Sequence, residues 1–322
     1  MKLLDGNLPS DLQTAASLLL AGRLVALPSE TVYGLAALAL DASAALKIFQ
    51  AKDRPLADPL IVHLGTGHQL DKIARVTPSV ESLARAFWPG PLTLVLPKHP
   101  SLPDLVTGGQ STVAVRFPSH PVFRAVLDLV QVPLAAPSAN PFGGISPTSA
   151  QHVIHGLAGR IDAVVDGGPS QHGLESTIIG VASDHLTLLR PGPIAPAAIE
   201  SASGLPVILP EVSTAASPSV PGGFLRHYSP TKNLSLVPRQ ELLESAPPQT
   251  ARVFLSPSAI PLTDTLILSQ TADPVEVGQV LYATLHQLDR DPCVHQIWIE
   301  RPPTSESWRT VNDRLYRAAA NQ

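Results

Sequence analysis

Residues 42–64, ASAALKIFQAKDRPLADPLIVHL, decide the fold. Positions 42–52 read as a helix and positions 60–64 as a short apolar strand. Between them Lys52 and Arg54 flank Asp53 at the helix end, and Pro55 and Pro59 stiffen the connection. Helix, rigid turn and buried strand form the repeating unit of an α/β protein, and the flanking sequence continues the alternation. Upstream, 9–21 predicts a helix with Pro9 and Asp11 near its start and Gly22 just past its end. RLVALP (23–28) predicts a buried strand. Downstream, strands are expected near 92–97, 112–116, 134–136, 163–165, 175–181 and 186–190, and helices at 78–87 and 120–130. Ser146-Pro147-Thr148 is expected to start another helix. STVAVRFP (111–118) can pair in either direction, so the expected fold class is α/β with a mixed sheet covered by helices.

Composition limits the class. A chain of 322 residues corresponds to about two domains. Its 34 prolines and 21 glycines point to many rigid turns, and 44% hydrophobic residues suffice for a sizeable core. Charged residues are 15%, against about 25% in typical proteins. A net charge of −4 gives no global positive field for nucleic acid. The single Cys293 excludes an intrachain disulfide framework and a cysteine-based zinc cluster. MKLLDGNLPSDL at the start lacks the unbroken apolar stretch of a signal peptide, and no apolar run reaches about 18 residues. A cytoplasmic protein without membrane attachment is expected.

Periodicity lapses after residue 206. The stretch 210–230, PEVSTAASPSVPGGFLRHYSP, is rich in Pro, Ser, Gly and Ala. Beyond it apolar runs at 234–237, 252–255, 265–268 and 295–299 resume an α/β pattern. A helix capped by Asp273 and Pro274 presents Val277, Leu281, Leu285 and Leu288 as one stripe. The expected domains are 1–206, a linker at 207–231, and a small α/β domain at 232–322.

Polar residues gather where a strand end meets a proline or glycine. PSETVYGL (28–35) presents Ser29, Glu30 and Thr31, and His63 ends an apolar strand. Prolines around Arg54 hold its fork still, as bidentate phosphate or carboxylate recognition requires. Arg116 sits at a strand end before Pro118 and Pro121. APSANPFGGISPTSA (136–150) combines hydroxyls, a glycine pair and a helix start, an anion site without a Walker motif. LESTII (174–179) is expected to place Glu175, Ser176 and Thr177 in a strand, and LRPGPI (189–194) locks Arg190 with Pro191. Arg226, His227 and Tyr228 form an aromatic-basic trio in the linker. No P-loop, dinucleotide fingerprint or H-E-x-x-H occurs, and His152 and His155 have no local ligand partner.

These stretches, with WPGPLTLVL (88–96), VRFPSHP (115–121) and HYSP (227–230), resemble the two-domain threonylcarbamoyl-AMP synthase family, in order and spacing over about residues 10–230. The resemblance implies a YrdC-like twisted α/β sheet around a deep electropositive groove, a linker passing over that groove, and a smaller Rossmann-like α/β/α domain. It implies that L-threonine, bicarbonate and ATP give threonylcarbamoyl-adenylate and diphosphate for modification of position 37 of tRNAs reading ANN codons. The product would pass to a tRNA threonylcarbamoyl transferase complex, without stable nucleic-acid binding. Matched by motif, Thr31, His63, Arg116, Ala136 and Ser176 would hold threonine. Arg54, Asp58, Thr112, Ser138, Ser146, Arg190 and Tyr228 would surround ATP, with Asn140 behind them and Lys52 and Arg54 acting in catalysis. Mg²⁺ is expected on the phosphates, with no protein metal site. Family members usually carry asparagine at Asp58 and glycine at Asp53. A double-stranded RNA-binding protein and a carbamoyltransferase are the rival classes on this fold; 4% aromatic residues and a lone cysteine argue against them.

Overall fold

The computed structural model describes residues 1–65, 70–209, 227–244, 246–258 and 265–320. The first body runs β1 (Lys2–Asp5), α1 (Pro9–Leu20), β2 (Val25–Leu27), β3 (Gly34–Leu38), α2 (Ala42–Lys52), β4 (Ile61–His63), α3 (Pro78–Phe87), β5 (Leu92–Pro97) and β6 (Thr112–Arg116). It continues through α4 (Pro121–Val130), β7 (Leu134–Ala135), α5 (Ala150–Leu157), β8 (Ala163–Asp166), β9 (Thr177–Val181), β10 (Leu186–Arg190), α6 (Pro196–Ser203) and β11 (Val207–Ile208). These strands form one mixed sheet, in the order β1-β8-β2-β3-β7-β4-β6-β5-β9-β10-β11. Pairing is parallel at β4·β6 and β5·β9, and antiparallel at β5·β6 and β4·β7.

The short apolar strands are buried on both faces, and alternate residues enter opposite cores. Leu24 and Ala26 join Ile48, Phe49, Val80, Leu83 and Val153 from α2, α3 and α5 on one face. Val25 and Leu27 join Ala15, Leu19, Phe123 and Val126 from α1 and α4 on the other. The sheet thus lies between two helical layers, as the α/β reading expects.

Local departures have local causes. The helix expected at Ser146-Pro147-Thr148 begins at Ala150, because the Ser149 hydroxyl caps it by accepting the His152 N–H. Glu175 and Ser176 precede β9 rather than lying in it, since pairing starts at Leu92 with Thr177. Strands β1 and β3 lie outside the expected set; GLAAL is an apolar run that directly follows a polar turn. β11 carries the sheet to Ile208, two residues past the expected boundary. Most of the expected linker, 210–226 and with it Arg226, lies outside the described residues.

A second sheet collects β12 (Asn233–Val237), β13 (Thr250–Phe254), β14 (Thr265–Ile267) and β15 (Gln296–Glu300), with α7 (Arg239–Glu244), α8 (Pro274–Arg290) and α9 (Arg309–Ala319). All its pairings are parallel, in the order β12-β15-β13-β14. The Asp273 side chain caps α8 at Val275 N–H, and the whole Val277, Leu281, Leu285 and Leu288 stripe is buried. That core also takes in Val32, Ile145 and Leu174 of the first body, so the two units share an apolar boundary.

Candidate active site

Turns at strand ends converge on one cavity. The chain leaving β2 enters PSET, β4 ends at His63, β6 ends at Arg116, β7 leads into Ala136–Ser138, and β10 ends at Arg190. Ligands of open α/β sheets bind at such ends because backbone groups and loops there are free of the sheet ladder.

On one wall His63 and Arg116 are register neighbours on parallel strands. The Arg116 guanidinium donates to Thr31 Oγ1 at 2.8 Å and to Gly90 O at 3.3 Å, and pairs with the Glu30 carboxylate at 2.7 Å. The PSET turn delivers both partners: Ser29 Oγ donates to Val32 O and accepts the Thr31 and Val32 N–H groups. Burial alone would raise the Glu30 pKa, but the charge and hydrogen bond of Arg116 and the Ser119 N–H bring it to about 2. His63 stacks on Phe123 with centroids 5.0 Å apart. Burial, reinforced by the Arg116 charge, lowers its pKa to about 3, so the ring is neutral near pH 7. Ile61, Phe123 and Ala136 complete an apolar wall.

On the other wall Arg54 pairs with Asp58 at 2.9 Å and donates to Pro59 O at 2.8 Å and Asp58 O at 3.2 Å. Asp53 takes the left-handed C-cap conformation of α2 at φ 55°, the backbone reason a glycine suits this position. Arg190 donates to both the carbonyl and the hydroxyl of Ser176, and Ser176 Oγ shares a hydrogen with Thr93 Oγ1 at 2.7 Å. His227 and Tyr228 close the cavity; their rings meet edge-on at 4.1 Å. Burial and the charges of Arg54, Lys52 and Arg190 hold His227 neutral. Room for water extends over only about 50 Å³, whereas sites that enclose ligands span roughly 300–1,000 Å³.

Nine of the expected residues line this cavity: Thr31, Arg54, His63, Arg116, Ala136, Ser138, Ser176, Arg190 and Tyr228. Five do not. Lys52 is buried behind the wall, its ammonium donating to Ser138 O and Asn140 O, so it shapes the loop that carries Ser138. Asp58 stands behind Arg54, Ser146 Oγ donates to Glu175 at 2.6 Å, and Asn140 spends its amide on Pro141 O and Gly144 O. Thr112 begins β6, four residues from Arg116, a separation of about 13 Å. Sequence reasoning left Glu30, Glu175 and His227 without a role and overlooked Phe123 and Gly192. A Cβ on Gly192 would lie 2.6 Å from the Ser176 carbonyl carbon and 2.8 Å from Glu175 O. The PGP motif at 191–193, of which Gly192 is the centre, was the available signal.

The donor set favours anions over metals. Each carboxylate at or beside the cavity already faces an arginine: Glu30 faces Arg116, Asp58 faces Arg54 and Glu175 faces Arg314. Among the described residues no cluster of three or more His, Cys, Asp or Glu side chains suits a metal ion. Three guanidiniums, with the hydroxyls of Thr31, Ser138 and Ser176, can instead orient two anionic reactants and spread positive charge over them.

Comparison with known proteins gives this arrangement relatives. The Sua5/YciO/YrdC family model, described as telomere recombination, matches residues 17–192. The model described as threonylcarbamoyl-AMP synthase, C-terminal domain, matches 194–320. The threonylcarbamoyl-AMP synthase of Pyrococcus abyssi is 39% identical over 292 residues, 87% of this chain and 85% of the relative. That of Bacillus subtilis is 45% identical over 226 residues, 69% of this chain and 65% of the relative. The crystal structure of P. abyssi Sua5 complexed with L-threonine matches at TM-score 0.89 and 35% identity, covering 99% of this chain and 97% of that one. E. coli YciO, at 19% identity and TM-score 0.53 over 59% of this chain, shares the fold. With both family models matched along its length and a relative 39% identical over 87% of it, the chain belongs to the Sua5/YciO/YrdC family, in the form that carries the threonylcarbamoyl-AMP synthase C-terminal domain.

Proposed function

We propose that this protein is an L-threonylcarbamoyladenylate synthase, converting L-threonine, bicarbonate and ATP into threonylcarbamoyl-AMP, diphosphate and water. The observation that carries the reading is the gathering of Arg54, Arg116 and Arg190 with Thr31, Ser138 and Ser176 in one cavity. The reaction needs positioning and charge dispersal, and no covalent nucleophile. The threonine amine and bicarbonate form a carbamate with loss of water. A carbamate oxygen then attacks the α-phosphorus, and the bond to diphosphate breaks.

Thr31, His63, Arg116, Ala136 and Ser176 hold threonine in this proposal, its methyl group against the neutral His63–Phe123 stack. Arg54, Ser138 and Arg190 face the ATP phosphates, and Tyr228 closes over the nucleotide. Lys52 and Asn140 act from behind by fixing the Ser138 loop, Asp58 by holding Arg54, and Ser146 through Glu175. Thr112 contributes at most to the outer rim of the nucleotide site. ATP enters as its Mg²⁺ complex, the ion held by phosphate oxygens and water. Residues 1–206 form the catalytic domain and 232–322 a small domain. The product is delivered in the cytoplasm to a tRNA-modifying transferase. No helix among the described residues is long and apolar enough to cross a membrane.

The test is incubation of pure protein with MgATP, threonine and bicarbonate. Diphosphate release that requires all three is expected. Its absence with folded protein refutes the proposal.

A further inference from the structure

Among the side chains that the small domain brings to the edge of the cavity, one is a charge. On α9, Val311, Leu315 and Ala318 form the apolar stripe, and Arg314 lies on the same face with no exposed surface. A cation is costly at such a place unless its fork is fully engaged. Arg314 Nε donates to Glu175 Oε2 at 2.6 Å, Nη2 donates to Pro191 O at 2.8 Å, and Nη1 pairs with Asp313. Its Cζ stands 5.1 Å from the centre of the Tyr228 ring.

The three contacts outside α9 share a geometric property. Glu175 immediately precedes Ser176, and Pro191 immediately follows Arg190. One guanidinium therefore holds both flanks of the Ser176–Arg190 hydrogen bonds while supporting the face of Tyr228. Tyr282 of α8 adds a hydrogen bond to the same Glu175 oxygen at 3.1 Å. The other Glu175 oxygen accepts from Ser146.

We infer that Arg314 is a positioning residue of the adenylation site, through which the small domain sets the geometry of Ser176, Arg190 and Tyr228. This rests on the reaction proposed above. An arginine that merely glued two domains together would need only Glu175; the Pro191 and Tyr228 contacts serve the cavity. Lysine, a point charge on a flexible stem, keeps the pair with Glu175 but cannot reach Pro191 O at the same time.

The experiment compares wild type, Arg314→Lys, Glu175→Gln and Val311→Ala in the full chain. Val311 is buried on the same helix and has no polar group, so its variant removes α9 packing while leaving the Arg314 hydrogen bonds in place. Diphosphate release at a temperature where each variant is folded yields kcat and KM for ATP and threonine. Amide exchange at Ser176, Thr177 and Gly192 is followed separately. Arg314→Lys and Glu175→Gln are expected to lower kcat at least tenfold and to speed exchange at those amides. Val311→Ala is expected to lower the melting temperature with kcat and both KM values unchanged. A folded Arg314→Lys with wild-type kinetics and exchange overturns the inference. So does an Arg314→Lys that fails to fold while Val311→Ala folds, because Arg314 then holds the fold and not the site. If wild type itself releases no diphosphate, the reaction is refuted, and the exchange comparison still decides whether Arg314 orders these segments.

Discussion

Glu30→Gln removes one charge from a pair lying wholly inside the protein. Glu30 and Arg116 are each less than 5% exposed and 2.7 Å apart. The magnitude follows from the carboxyl group's own titration: a fall from the ordinary 4.5 to about 2 corresponds to about 3 kcal/mol of stability at pH 7. Removing one partner of a buried pair costs about 3–5 kcal/mol in other proteins, an independent figure of the same size. The sign is fixed by linkage. Because the folded-state value is depressed, this stability is fully present above pH 4.5 and is lost as pH falls toward 2. Glutamine mimics the protonated acid, so the gap between wild type and variant should shrink with pH. It is expected to be about 3 kcal/mol at pH 7 and about half that at pH 3. Urea unfolding of both proteins at the two pH values measures it. A gap below about 0.5 kcal/mol at pH 7, the size of a typical surface substitution, or a gap that stays constant with pH, would refute the reasoning.

Three further outcomes are expected. Arg54→Ala should weaken ATP binding at least 30-fold in a calorimetric titration and destabilise the fold by about 3 kcal/mol, because it strands the Asp58 carboxylate; adding Asp58→Asn should restore most of the stability and none of the binding. His63, whose folded-state pKa is about 3, contributes stability above pH 6.5 that declines by up to about 1.4 kcal/mol per pH unit on acidification. Replacing it with phenylalanine should remove that share of the slope in thermal melts between pH 6.5 and 4. Gly192→Ala places a methyl group against the backbone of Glu175 and Ser176. It should cost about 1–3 kcal/mol and lower diphosphate release more than tenfold, which assays on the folded variant will show.

Much of the fold was legible because short apolar runs and proline-bounded helices are local features. β5, β6, β10, α2 and α3 fall on the residues that their patterns indicated. β3 was missed because GLAAL carries no alternation: both of its faces are buried, and Gly34 directly follows a polar turn. The helix after Ser146 was placed too early, since several hydroxyls in ISPTSA suit a cap and only the tertiary path selects Ser149. His152 and His155 read as ordinary surface or capping histidines; His152 in fact stacks on His286 of α8, 4.0 Å away. Arg314 left one trace, a charged residue on an otherwise apolar helix stripe, but its partners lie 123 and 139 positions away.

What the sequence by itself determined was the inventory: an α/β frame, a sparse set of arginines and hydroxyls, and prolines and glycines that fix the backbone beside them. Those properties are local, set by side-chain chemistry and by the few backbone conformations that proline permits. Tertiary structure alone decided which of these groups face one another. Lys52 and Asp58 belong to the same short stretch as Arg54 and share its polarity, yet of the three only Arg54 reaches the cavity. The division follows from long-range pairing. The parallel register of β4 with β6 sets His63 beside Arg116, and the packing of α9 against the first body brings Arg314 to Glu175. Burial then turns each such meeting into an energetic commitment, because a charge removed from water must find its partner.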